Sequence, residues 1–221
     1  GSFVSADTVP TDSVNTVRWL RQAAPHLGIQ MVFLSWPSDG ILTLTPGNPA
    51  STALPGVDVA ILGRRAEFNG IRLARLVRML PPECPVCLIG HSHGARMVAS
   101  AVHLMGGGAI DECQLSAGPM HRVRTVFAAA AMDHDWFNPG QRFDCGFKST
   151  EYMLNLKAPK DWALAVYPLR KLFSSRPLGQ TGFIASDRRR LGHWSARAQD
   201  LDVSQQIGMG HIWPKYYAHP E

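Results

Sequence analysis

A serine held between glycines, with carboxylates and histidines downstream, is the chemistry this chain offers. Gly90-His91-Ser92-His93-Gly94 has the Gly-x-Ser-x-Gly form. A serine hydroxyl is a weak nucleophile near neutral pH and needs a base to take its proton. Imidazole, titrating at about pH 6.5 when unperturbed, suits that role. The imidazole needs a carboxylate that fixes its tautomer and stabilises the imidazolium. Where the serine follows a strand, the partners come in the order Ser, Asp/Glu, His, each after a later strand. Asp161 and His211 answer that description, with Asp133 the competing acid and His193 the competing base. His193 precedes the last expected strand, so the order disfavours it.

The elements that must position these groups are legible around them. Val86 to Ile89 is apolar on both faces and reads as a buried parallel strand. From Gly94 onward, Met97, Val98, Ala101, Val102 and Met105 fall at helical spacing, and Gly106-Gly107-Gly108 ends the pattern. Ser92 then sits on a tight strand-to-helix turn, with Gly90 and Gly94 expected to remove side chains that would block it. Val123 to Ala131 and Tyr152 to Leu156 read as further strands, with Asp133 after the first and Asp161 after the second. Leu201 to Ser204 reads as a last strand, before His211.

Upstream, residues 2 to 6 suggest a short strand, and a helix capped at Thr11 or Asp12 runs to about Ala24. Ile29 to Trp36 suggests a central strand. Residues 37–60 are rich in Pro, Gly, Ser and Thr and read as a long loop. Residues 64–80 read as an amphipathic helix on Leu73, Leu76, Val77 and Leu80. A helix kinked at Pro168 is expected from Trp162 to Phe173. Alternating strands and helices predict one α/β domain over 1–221, with a mostly parallel central sheet and helices on both faces. Loops 37–60 and 134–149 are candidate lids. Their apolar Ile41, Leu42, Leu44, Leu54, Trp136 and Phe137 suit either an acyl chain or packing.

An ester carbonyl attacked by Ser92 develops negative charge, which two backbone amides must meet. One is assigned to His93, the residue after the nucleophile. The second is assigned to the early loop Ala6, Asp7 or Thr8, with Asp7 at its centre. His91 and His93 admit a metal-binding reading, but the Gly-x-Ser-x-Gly frame explains the stretch better and no metal is called for. Cys84 and Cys87 form a C-x-x-C leading into the central strand, read as buried structural thiols. Cys113 and Cys145 offer a disulfide if the protein is exported. His26, His103, His121, His134 and His219 are read as packing or surface residues.

The chain has 221 residues and a formal net charge of +5. Arg72 and Arg75 share the helix face opposite the apolar one, which reads as a solvated surface. No nucleic-acid motif accompanies the positive charge, and no apolar run is long enough to span a membrane. No signal peptide is recognisable at the start, and the sequence leaves the compartment open: exported or periplasmic if a signal segment was removed, otherwise cytoplasmic.

A strand, Gly-x-Ser-x-Gly and a helix in succession form the nucleophile elbow of an α/β-hydrolase. With Ser35-Trp36-Pro37-Ser38-Asp39-Gly40, the Ala-rich run Ala128 to Phe137, Asp161-Trp162-Ala163-Leu164, Asp202-Val203-Ser204 and Gly210-His211, the chain resembles a bacterial family of α/β-hydrolases of unknown function, esterase- or lipase-like. The resemblance covers about residues 12–217. It implies a hydrolase fold and a Ser92, Asp161, His211 triad. Ser5-Ala6-Asp7-Thr8 stands where that family carries a His-Gly-Phe-Asn-like loop. The function expected is cleavage of a small-molecule or lipid ester, without a cofactor. An acyltransferase or amidase would use the same residues, and a binding or scaffolding module on the same fold is the alternative.

Overall fold

The computed structural model describes residues 9–36, 55–116, 121–170 and 174–217. The expected strand over residues 2–6, most of loop 37–60 and Asp7 lie outside them.

Among the described residues, four parallel strands form the central sheet, in the order β1 (Val86–His91), β4 (Val123–Ala128), β5 (Thr150–Lys157) and β6 (Ala198–Asp202). A separate antiparallel pair, β2 (Ala109–Ile110) and β3 (Cys113–Gln114), lies between β1 and β4 in sequence. The last sheet strand starts at Ala198, earlier than the expected Leu201. All four sheet strands point one way, so the turns that follow them gather at one edge, where ligand sites of parallel sheets form.

Helices pack around this sheet. α1 (Val9–Ala23) starts before Thr11, with Pro10 in its first turn, where the missing N–H costs nothing. Only Thr16 of α1 is buried, and Val14 is exposed. The expected apolar face of this helix is therefore not a core face. α2 (Pro55–Arg78) begins well before residue 64, so residues 55–60 are helix rather than loop. Its inner face is Leu62, Ala66, Leu73, Ala74 and Val77, while Leu76 and, past the helix end, Leu80 stay exposed. Arg72 and Arg75 are exposed, as expected. α3 (His93–Met105) is buried along almost its whole length and packs on α2, where the Ser100 hydroxyl donates to the Glu67 carbonyl at 2.9 Å.

Shorter helices complete the chain: α4 (Gly146–Ser149), α5 (Trp162–Ala165), α6 (Leu178–Thr181), α7 (Ala185–Leu191), α8 (Ser204–Ile207) and α9 (Pro214–Tyr217). A 3-10 turn at Tyr167–Arg170 follows α5, in place of one kinked helix through Pro168.

Packing and pairing decide the fate of several local readings. Residues 29–36 have no regular structure, and Val32, Phe33 and Leu34 are 71%, 41% and 45% exposed. Strand composition is local, whereas a strand exists only with a hydrogen-bonded neighbour. In loop 134–149 the packing alternative holds for Phe137: Phe137, Phe143 and Phe147 are core residues, with Phe137 against Phe127, Phe143, Phe147 and Phe183. Cys87 is exposed, Cys84 half-buried, and all four thiols are free, so Cys113 and Cys145 are not bridged.

Candidate active site

Ser92 occupies the turn between β1 and α3 with φ 56° and ψ −123°. A positive φ is costly for any residue with a Cβ. Three backbone hydrogen bonds hold it there. The Ser92 amide donates to the Ala128 carbonyl at 2.9 Å, and the Ser92 carbonyl accepts from Ala95 at 3.1 Å and Ala131 at 3.3 Å. Gly90 lets the strand and helix close on each other, since a Cβ there would lie 2.5 Å from the Ala95 Cα and the Gly94 oxygen. Gly94 has no such duty: a Cβ there would meet nothing within 4 Å. Only the first of the two glycines is sterically required.

Asp161 follows β5 and caps α5. Its Oδ1 accepts from the amides of Ala163 at 3.0 Å and Leu164 at 3.1 Å. Its Oδ2 lies 2.7 Å from Nδ1 of His211, and the other ring nitrogen, Nε2, lies 2.9 Å from the Ser92 hydroxyl. A carboxylate only accepts, so Nδ1 carries the proton and Nε2 accepts from the serine. Ser92, Asp161 and His211 are all buried. The serine, imidazole and carboxylate thus form one hydrogen-bonded chain across the turns after β1, β5 and β6.

The competing residues lie elsewhere. Asp133 pairs in an isolated bridge with Pro177 and lines a cavity beside Arg96; the carboxylate bonded to His211 is that of Asp161. His193 is exposed and its ring lies against Trp194. His93 is the first residue of α3, and the opening amides of a helix have no partner within it.

Several supporting residues escape a reading by motif. The Gln180 amide donates to the Asp161 carbonyl at 2.9 Å and braces the acid from α6. His91 packs its ring 5.1 Å from that of His211, 5.8 Å from Trp213 and 5.5 Å from Tyr216. Burial holds the His91 ring neutral, well below the ordinary imidazole range, and the nearby His211 pushes the same way. The Tyr216 hydroxyl is pushed up by burial and by the charge of Asp161. The signal for His91 and Trp213 was adjacency to Ser92 and His211; Gln180 left none.

For a metal, the described residues bring together His103, Asp144 and Cys145, whose ligand atoms lie within 4.8 Å of one another. Both His103 nitrogens are already engaged. Nδ1 accepts from the Cys145 amide at 3.2 Å, leaving Nε2 to donate to the Ala109 carbonyl at 3.2 Å. That ring staples the end of α3 to its neighbours. His91 and His93 do not belong to this cluster.

Comparison with known proteins finds no matching family model, no matching curated protein and no matching solved structure.

Proposed function

We propose that the chain is a serine hydrolase of carboxylic esters, built on an α/β-hydrolase fold. The observation that carries this reading is the continuous chain from the Ser92 hydroxyl through His211 to Asp161, with Ser92 in a strained turn at the mouth of α3. Ser92 Oγ attacks the ester carbonyl carbon while Nε2 of His211 takes its proton. The oxygen that becomes negative is met by the His93 amide at the start of α3. His211, now an imidazolium steadied by Asp161, gives its proton to the departing alcohol as the carbon–oxygen bond breaks. Water, deprotonated by the same nitrogen, then releases the acid from the serine ester.

The rim supports an apolar acyl group. Trp162, Met209 and Ile212 are 53%, 64% and 58% exposed and adjoin the acid and the base in sequence. The Trp162 amide meets the Met209 carbonyl at 3.4 Å, so these two stretches run together. No helix among the described residues is long and apolar enough to cross a membrane.

The test is labelling of the intact protein with a fluorophosphonate, followed by peptide mass spectrometry. The expected result is stoichiometric label on Ser92, lost in Ser92→Ala and strongly slowed in His211→Ala. Well-folded protein that takes no label on Ser92 would overturn the reading.

A further inference from the structure

A second concentration of chemistry lies on the α2 side of α3. Glu67 of α2 is fully buried and is approached by three guanidinium groups. Nε and Nη2 of Arg96 lie 2.8 Å from its Oε1. Arg142 grips both of its oxygens through Nε and Nη2. Nη1 of Arg64 stands 3.6 Å from Oε2, and Arg64 also pairs with Asp111. Arg96 and Arg142 both lie over the Trp136 ring, at 4.7 and 5.3 Å from its centroid. Burial by itself would raise the Glu67 carboxyl, and the bonds and charges of Arg142 and Arg96 outweigh it, holding the group ionised below its ordinary range.

Donors outnumber acceptors in this cluster. Each guanidinium presents five N–H groups, and the Glu67 carboxylate is shared among three of them. Arg96 Nη1, packed beside Gly63, finds no acceptor among the described residues although it is shut off from solvent. Arg64 and Arg142 have side chains 44% and 38% exposed, so their remaining N–H groups are within reach of a ligand.

These arginines wall a cavity of about 420 Å³, together with Ala60, Asp133, Trp136 and Gln141. That volume lies within the range of small-ligand sites. Neither Ser92 nor His211 lines it. Arg96 lies in the first turn of α3, the helix that Ser92 precedes.

We propose that this cavity binds a small ligand through one oxyanion group, a carboxylate or a phosphate, held by Arg64 and Arg142. Both anions accept paired N–H bonds from guanidinium forks. Glu67 locks Arg96 and Arg142 in position beforehand, so little side-chain freedom is lost on binding. Trp136 offers an apolar wall to the body of the ligand. Asp133, the carboxylate on the same wall, limits the negative charge the cavity accepts. The proposal is independent of the serine reading, because it uses none of those residues.

The experiment titrates the intact protein separately with sodium phosphate and sodium acetate, against sodium chloride at matched ionic strength. Binding is followed by thermal shift and tryptophan fluorescence. At least one of the two anions is expected to bind saturably, and the arm that responds tells phosphate from carboxylate. Arg64→Gln and Arg142→Gln are each expected to weaken that binding about tenfold. Arg64→Gln alters a half-exposed side chain and serves as the variant that keeps its fold, checked by circular dichroism and by a cooperative melt in sodium chloride. A response to neither anion beyond that to chloride overturns the proposal, as does binding that survives both substitutions.

Discussion

Asp161 does two jobs with two oxygens: Oδ1 caps α5 and Oδ2 meets His211. Asn in its place retains one oxygen, and presenting its amide nitrogen to Nδ1 would favour the wrong tautomer. Asp161→Asn is therefore expected to slow reaction of Ser92 by about 10³- to 10⁴-fold with little loss of fold. Rates of labelling measured beside wild type check this, and an unchanged rate would remove Asp161 from the machinery. His91 makes a different prediction. Its folded form stays neutral, whereas in the unfolded chain it titrates at about pH 6.5. Below that pH the unfolded state binds the extra proton, so stability falls as pH falls. The loss is about 1.4 kcal/mol per pH unit until the folded ring also titrates. His91→Phe removes that dependence. Melting curves from pH 7.5 to 5, aligned at pH 7.5 to remove any offset, should diverge toward the acid end, with wild type losing more stability than the variant. Parallel curves would refute the assignment.

At the scale of elements, the β1–α3 junction separates two glycines that look alike in sequence. Gly90 faces the helix backbone, so Gly90→Ala forces strand and helix apart and is expected to cost about 2–4 kcal/mol, at the upper end of overpacking effects. Gly94 lies inside α3 over open space, so Gly94→Ala is expected to stabilise by about 0.5–1 kcal/mol through helix propensity. Urea melts of the two variants test the contrast, and equal effects would sink it. α3 itself was readable because its apolar residues repeat at helical spacing and three glycines end it. The start of α2 was hidden because Pro55 and Gly56 have loop-like composition, although Pro is at home in the first turn of a helix. Residues 29–36 show the reverse error: strand-like composition without a strand. Side-chain pattern reports a preference, and only a neighbouring edge turns it into a ladder.

Across the whole molecule, the parallel sheet explains why residues far apart in sequence share one edge. The same arrangement buries a charged cluster between α2, α3 and the loop after β4. Glu67→Gln removes the carboxylate that Arg96 and Arg142 share, leaving a buried guanidinium without its counter-charge. The expected loss is about 3–5 kcal/mol, read from chemical denaturation; a loss below about 1 kcal/mol would mean the arginines find other acceptors or water. The residue types at Ser92, Asp161 and His211, their order, and the strand–turn–helix around the serine are written in the chain, because periodicity and glycine placement are local. So is the alternation that makes a parallel α/β sheet. Which carboxylate meets the histidine is not: Asp133 and Asp161 both follow strands, and only the packing of α5 and α9 beside the β1 turn brings Asp161 to 2.7 Å from His211. The arginine-walled cavity was equally invisible, since Arg64, Arg96 and Arg142 look like scattered surface charge until the helices bring them around one buried carboxylate. Local propensity acts over a few residues, whereas the contacts that select a partner for a charge act across the fold.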